Sequence, residues 1–535
     1  MQSPYSRTFG ALALEQAARY GDRPAVYCGE RIVSYADLAY RARQVAGALR
    51  AQGVRRGDRV GLLMNNRAEW LEVFFGAAML GAVTVAYSTW SKRDELDYLI
   101  ADSGVSVLVS LDRFSGQDFT ADIAALVPEA ASGAGWRSAR FPALRRVVML
   151  GDTPAGFDRY DDFTAHAPIA ALPAPGDGAS AADDAVVIYT SGSSARPKSV
   201  PLAHCGMIEN GFNIGERQGY GPDDRVLLAP PLFWSYGNAN AMSAVLTHGA
   251  ALVLQGRFEA GEALTLIERH RCTALYTMPS ITAALTSHPD FRPARTRSLR
   301  TGLTIGAPQD VIAVAETLGA REICNVYGQT ESYGNCCVTW HHWSLERRAA
   351  CQGPPLPGVT IRIADPDTGA ALPPGEPGLI EVRGYLMRGY VGGSADQSAA
   401  AFTPDGYFRT GDMGRLTEGG EMQFVGRTTE MIKKGGINIS PAEVEDVLMR
   451  HPAVALVGVV GVPDREQGEL LAAFVVAKPG AATSSADLAR HCKELASRYK
   501  VPDFIELRDA LPVTPTGKLM RRELKQLAAG MGAKA

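Results

Sequence analysis

The stretch that decides the reading is Ala185-Val186-Val187-Ile188-Tyr189-Thr190-Ser191-Gly192-Ser193-Ser194-Ala195-Arg196-Pro197-Lys198-Ser199. Ala185–Tyr189 is a short apolar run that predicts a buried strand. It leads into small hydroxyl residues and Gly192, which let the backbone approach phosphate oxygens and offer O–H and N–H donors. Lys198 adds a mobile cation for polyphosphate charge, and Pro197 stiffens the loop beside it. The Lys198-Ser199 ending mimics a Walker A loop, but Pro197 stands where that motif needs glycine. Pro201 also removes an N–H from the helical turn that would have to follow. A Walker A site is therefore disfavoured. Taken alone, the segment also suits a Ser/Gly-rich surface loop.

Working outward, the Ala-, Pro-, Gly- and Asp-rich run from Pro168 to Asp184 predicts a surface connector. Farther upstream, helical and strand patterns alternate. Ser34 and Asp37 precede a helical stretch with Leu38, Val45 and Leu49 on one side. Arg59–Met64 predicts a buried strand, Glu69–Leu80 a helix, Gly81–Ala86 a strand, Asp94–Ala101 a helix and Val105–Ser110 a strand. This alternation predicts an α/β fold with largely parallel, helix-flanked sheets, and short strands beyond Ala250 predict more than one sheet. A boundary falls near Thr429. Beyond it, Ser440-Pro441-Ala442-Glu443 has the spelling of a capping box with Pro first in the helix. Val454–Val462 and Leu470–Val476 predict strands, and Ser485 opens a helix on which Leu488, Cys492, Leu495 and Tyr499 share a face. The expected division is a large domain over 1–428 and a small α+β domain over 429–535.

The chain has 535 residues, 46% hydrophobic and 21% charged, with a net charge of -3. That length exceeds one domain, and the near-neutral balance offers no electrostatic footprint for nucleic acid or an anionic membrane. The start, MQSPYSRTFG, lacks the basic and apolar regions of a secretory signal. No apolar run is long enough to span a bilayer, and a cytoplasmic protein is expected. The eight cysteines form no CxxC pair, and His341-His342 has no partner pattern, so no resident metal centre of Cys or His is expected.

Four further segments share the chemistry of the first. Asn325-Val326-Tyr327-Gly328-Gln329-Thr330-Glu331 follows a strand pattern, and its Thr and Glu can serve phosphate and Mg²⁺. Tyr407-Phe408-Arg409-Thr410-Gly411-Asp412 places a carboxylate able to accept from both hydroxyls of a ribose. Gly426-Arg427 adds a fixed cation, and Pro512-Val513-Thr514-Pro515-Thr516-Gly517-Lys518 presents a lysine on a turn.

In this order, the segments resemble the adenylate-forming superfamily: acyl-CoA synthetases, aryl-CoA ligases, carrier-protein adenylation domains and firefly luciferase. The resemblance runs from about Tyr35 to Arg522. It implies a large N-terminal adenylation domain of helix-flanked sheets, a small mobile C-terminal domain hinged at Thr429, and an active site between them. It assigns Thr190, Ser191, Gly192, Ser193, Ser194 and Lys198 to the phosphate-binding loop, and Gly306-Ala307-Pro308 to the adenine and acyl pockets. It assigns Tyr327 and Gly328 to adenine, Thr330 to phosphate and Glu331 to Mg²⁺. Asp412 and Arg427 become ribose contacts, and Lys518 the adenylation lysine. Lys433, Gly435, Gly436 and Asn438 fall in the loop that serves thioester formation with CoA. Trp234, Tyr236, Val326 and Tyr333 are the implied acyl-pocket residues.

Four positions depart from the family's pattern. Ala195 and Ser199 replace loop glycines, Thr429 stands at the hinge where Asp or Lys is usual, and Trp234 takes a position often held by histidine. The expected function is ATP-dependent ligation of a carboxylic acid to CoA through an acyl-adenylate, with Mg²⁺. Pocket candidates without an obvious ion suggest a hydrophobic acid, aromatic or medium-chain. The alternatives are a stand-alone enzyme charging a carrier protein, and a nucleotide-binding protein that has lost turnover. A luciferase-like oxygenase shares the motifs, and nothing in the chain selects it.

Overall fold

The structure, a computed structural model, describes residues 2–133, 135–165, 178–190, 197–392, 395–428, 430–434, 437–464, 467–496, 498–514 and 519–529. Among these residues the strands gather into two large sheets, a four-stranded antiparallel sheet, a C-terminal sheet and one small hairpin.

In the first large sheet, Arg59–Leu63 lies between Val83–Tyr87 and Val107–Leu111, all parallel. These strands read as continuous apolar runs because helices cover the sheet, a parallel sheet's usual condition. The helix Ala68–Met79 buries Trp70, Phe74 and Phe75, and Phe9 of the helix Phe9–Tyr20 packs edge-on against Phe74 at 4.9 Å. The predicted strand over Gly81–Ala86 begins two residues later, at Val83, because Gly81 has φ +70° in the turn that leaves the helix.

Asp184–Thr190 joins this sheet parallel to Val83–Tyr87, and Lys198–Ala203 folds back antiparallel, with Thr190 opposite Lys198. The candidate phosphate segment is therefore followed by an antiparallel strand, where a Walker A loop would be followed by a helix. Pro201 sits on the edge strand of the sheet, where its missing N–H breaks no ladder bond on the open side. Residues 166–177 of the expected connector lie outside the described residues.

The second sheet aligns Arg225–Leu228, Ala251–Leu254, Ala274–Tyr276, Thr301–Thr304 and Cys324–Tyr327 in parallel. Tyr327 ends its strand and Thr190 ends its own, so both lie at C-terminal strand ends, where open α/β sheets place ligands. The four-stranded sheet carries Asp412 on Phe408–Leu416 directly opposite Arg427 on Met422–Arg427.

The C-terminal domain is smaller and has its own core. Val454–Asp464 and Gly468–Ala477 pair antiparallel, and helices Pro441–Met449 and Ser485–Leu495 bury Val444, Leu448, Leu488 and Cys492 around Val457 and Leu471. Two local expectations fail here. The capping box at Ser440 does not form: the Ser440 hydroxyl donates to the Val425 carbonyl of the neighbouring sheet, and Glu443 pairs with Lys500 at 3.0 Å. The helix from Ser485 stops at Leu495, whose extended successor Ala496 leaves Leu495 and Tyr499 largely exposed (52% and 39%). Only Leu488 and Cys492 of the expected stripe reach the core.

Candidate active site

Two candidate residues from distant segments, Lys198 and Glu331, meet around one side chain that the motifs did not single out. Tyr390 donates its hydroxyl to Glu331 Oε1 at 3.1 Å, and the Lys198 ammonium lies 5.0 Å from its ring centre. Burial pushes the Glu331 carboxyl above its ordinary value, while the Tyr390 bond and the charges of Lys198 and Arg427 pull it back. Thr330, on the same short 3₁₀ turn as Glu331, shares a hydroxyl–hydroxyl bond with Ser235 at 3.0 Å. Thr190 Oγ1 reaches the Lys198 carbonyl at 3.5 Å across the mouth of the hairpin. Ser191, Gly192, Ser193, Ser194 and Ala195 lie outside the described residues.

The position of Ser199 corrects the expectation that it is a loop residue. It lies in the strand Lys198–Ala203 opposite Tyr189, buried, with its hydroxyl donating to the Val391 carbonyl. Its backbone also accepts from Val391 N at 3.1 Å. The side chain acts as a fastening to the segment that carries Tyr390.

A second group surrounds Asp412, which is buried. Its Oδ2 accepts from Tyr327 Oη at 2.9 Å and from Gln329 Nε2 at 2.6 Å, and its Oδ1 lies 3.3 Å from Arg427 Nε. The Tyr327 ring stacks on Phe424, with centres 5.8 Å apart. Gly328 allows close passage of the chain, because a Cβ there would fall 2.3 Å from the Gly334 carbonyl oxygen. Gly306 is similarly crowded by Asp310, whose Oδ2 accepts from Ala307 N at 2.8 Å as Pro308 opens the helix Pro308–Glu316. Burial, with Asp446 of the C-terminal domain nearby, pushes the Asp310 carboxyl up to about 6.

Trp234 meets Trp90 edge-on at 4.8 Å, and Phe233 completes an aromatic trio with Trp90 at 5.4 Å. Just beyond it, Tyr236–Met242 winds as a π-helix, with Asn240 N donating back to Ser235 O at 3.0 Å. Such widened turns are rare and gather at functional sites. Tyr236 sits on this turn, but its hydroxyl donates to the Thr277 and Leu303 carbonyls, both at 3.0 Å. Asn238 and Asn240 are fully buried with no partner for either side-chain amide. Val326 pairs with Val338 in the sheet. Tyr333, at φ +58°, turns away to accept from Ala203 N at 3.0 Å and to face Tyr385.

Among the C-terminal candidates, Lys433 is exposed on the strand Ile432–Lys434, and its N–H donates to Glu469 Oε2 at 2.7 Å. Thr429, Gly435, Gly436 and Lys518 lie outside the described residues, as does the side chain of Asn438.

The donors fit Mg²⁺. Glu331 offers a hard carboxylate oxygen beside Thr330, and among the described residues no group of three or more His, Cys, Asp or Glu converges. That set suits a cation that keeps water and takes phosphate oxygens as ligands.

Residues 14–391 match the AMP-binding enzyme family, and residues 443–518 match the AMP-binding enzyme C-terminal domain. The chain belongs to the AMP-binding enzyme family. It is 33% identical over 531 residues to a putative acyl-CoA synthetase, YngI, of Bacillus subtilis (strain 168), covering 97% of this chain and 96% of that one. It is 33% identical over 520 residues to a feruloyl-CoA synthase of Amycolatopsis sp, covering 97% and 98%. The solved anthranilate CoA ligase AuaEII, in complex with anthranoyl-AMP, matches with a TM-score of 0.85 at 27% identity, covering 99% of both chains.

Proposed function

We propose that the acid activated by this ATP-dependent acid:CoA ligase is hydrophobic, aromatic or medium-chain. The observation that carries this is the trio of Trp90, Phe233 and Trp234, set one residue from the Ser235–Thr330 bond and so beside the phosphate and metal candidates. Feruloyl and anthranoyl groups in the names of relatives agree with an aromatic acid.

The chemistry explains the parts. A carboxylate must attack the α-phosphate of ATP, so two anions have to meet, and their repulsion grows as the site dries. Lys198 and the hairpin loop hold the phosphates, Asp412 and Arg427 hold the ribose, and Lys518 supplies positive charge where the transition state develops its negative charge. A Mg²⁺ ion held by Glu331 would neutralise phosphate charge in that step. Pyrophosphate leaves, and CoA sulfur then takes the acyl group from AMP. We place the domain boundary at Thr429 and assign Lys433, Gly435, Gly436 and Asn438 to the thioester step, with the C-terminal domain moving between the two.

A reducing, cytoplasmic setting is supported by eight free cysteines. Among the described residues, no helix is long and apolar enough to cross a membrane.

AMP release with and without CoA, across aromatic, straight-chain and short polar acids, tests the reading of a hydrophobic substrate. Preference for short polar acids without an aromatic ring would overturn it.

A further inference from the structure

Tyr390 stands between two opposite charges. Its hydroxyl bonds Glu331 on one side and its ring carries Lys198 on the other, yet no direct Lys198–Glu331 ion pair occurs among the described residues. An ammonium and a carboxylate in a partly desolvated site attract strongly. Were they to close on each other, Lys198 would lose donors for phosphate, and Glu331 would lose an oxygen for a cation.

The backbone around Tyr390 is held at both ends. Met387 N donates to the Glu331 carbonyl at 2.8 Å, and Val391 N donates to the Ser199 carbonyl at 3.1 Å. The Ser199 hydroxyl returns a bond to the Val391 carbonyl, and Tyr390 N donates to Ser398 Oγ at 3.0 Å. Five residues, Met387 to Val391, thus run from the residue bearing the carboxylate to the residue after the lysine. A half-buried aromatic held at both ends and touching both charges differs from a surface tyrosine that only meets one.

We propose that Tyr390 is a positioning residue that keeps Lys198 and Glu331 apart and aimed before nucleotide arrives. Its ring is a perch for the ammonium, since a cation over an aromatic face gains without consuming a carboxylate. Its hydroxyl fixes one oxygen of Glu331 and leaves the other open. Arriving phosphates then meet a lysine without a counter-ion, and their cation meets an oriented carboxylate. This rests on reading Lys198 as the phosphate lysine and Glu331 as the Mg²⁺ ligand.

The test is equilibrium binding of the β,γ-imido analogue of ATP by calorimetry, in Mg²⁺ and in EDTA, with thermal melting as the control for folding. Mn²⁺ binding in the presence of the analogue is followed by electron paramagnetic resonance. Tyr390→Phe keeps the ring, so affinity in EDTA should hold while Mn²⁺ binds severalfold more weakly. Tyr390→Leu removes the spacer, and affinity in EDTA should fall about tenfold as Lys198 closes on Glu331. Adding Glu331→Gln to Tyr390→Leu should restore affinity in EDTA, because the lysine then has no carboxylate to close on. A loss from packing alone would not be rescued in that way. Wild-type affinity in a folded Tyr390→Leu protein, or failure of the rescue, would overturn the proposal. Should Tyr390→Leu not fold, unchanged Mn²⁺ binding in Tyr390→Phe would overturn it instead. Absence of analogue binding in the wild-type protein would refute the underlying reading of the site.

Discussion

The hydroxyl of Tyr327 donates to Asp412 Oδ2 at 2.9 Å, joining a strand end of one sheet to an inner strand of another across 85 positions of the chain. Gln329 bonds the same oxygen and Arg427 approaches the other, so the carboxylate is oriented before any ligand is present. An acceptor held in this way suits the paired hydroxyls of a ribose. Asp412→Asn keeps the shape and removes the charge, so it should weaken ATP binding by about 1.5–3 kcal/mol, the scale of a charge-assisted hydrogen bond. Tyr327→Phe should cost less, because Gln329 still holds Asp412. The ATP KM in pyrophosphate exchange checks both, and an unchanged KM in folded Asp412→Asn would make the carboxylate purely structural.

Ser199 fastens two chain segments. Ser199→Ala removes one hydrogen bond, and Ser199→Gly also loosens the strand, for a combined loss of about 1–2 kcal/mol in stability. Thermal melting should rank wild type above Ser199→Ala above Ser199→Gly. A glycine variant as stable as wild type would show that the Val391 bond contributes nothing.

Trp234 is expected to bound the acyl pocket. Trp234→Ala should shift the ranking of acids toward bulkier ones, by about 1–3 kcal/mol per methylene accommodated. It should also leave Trp90, already 40% exposed, with Phe233 as its remaining edge-on partner. An unaltered ranking, measured as kcat/KM for each acid, would place Trp234 in the core.

How much was legible follows from how far apart the partners lie. Ser34 and Asp37, which precede a helical stretch in the sequence, form a capping box at the start of the helix Tyr35–Ala51, because both partners sit within one helical turn. Ser440 and Glu443 have the same spelling but find other partners, Val425 and Lys500, which become visible only after folding. The alternation of strands and helices was readable because a buried parallel strand is a continuous apolar run whatever its neighbours are. Around the site, Glu331 and Lys198 stood out within short motifs. Tyr390 did not, since its bond to Glu331 spans 59 positions and no local spacing marks it. Gln329 was in a quoted motif, yet its contact with Asp412 spans 83 positions and gave no sign. Ser199 was misread because a glycine position in relatives suggested a loop, whereas the hairpin register puts it in a strand.

His204 should make stability sensitive to mild acid. It is fully buried, its Nδ1 accepts from Phe9 N at 3.3 Å, and burial lowers its pKa from 6.5 to about 4 against a small opposing effect of Asp183. The folded state therefore binds this proton more weakly than the unfolded chain. Stability is complete above pH about 6.5, falls by about 3 kcal/mol as pH drops toward 4, and loses nothing more from this group below that. His204→Asn keeps an acceptor for Phe9 N and cannot titrate, so it should flatten this part of the curve. Melting temperature against pH for both proteins decides it, and parallel curves would exclude His204 as the source.

The site joins acid to AMP before any thiol is involved, and isotope exchange between pyrophosphate and ATP reads that step alone. With a suitable acid and Mg²⁺, exchange should proceed without CoA, and thioester should form only when CoA is added. Lys518→Ala should slow exchange by about 10²–10³-fold, the scale of losing one preorganised charge stabiliser. Thioester formation from supplied acyl-adenylate should survive in that variant. Absence of exchange across a broad panel of acids, in a protein that still binds ATP, would rule out adenylation as the first step.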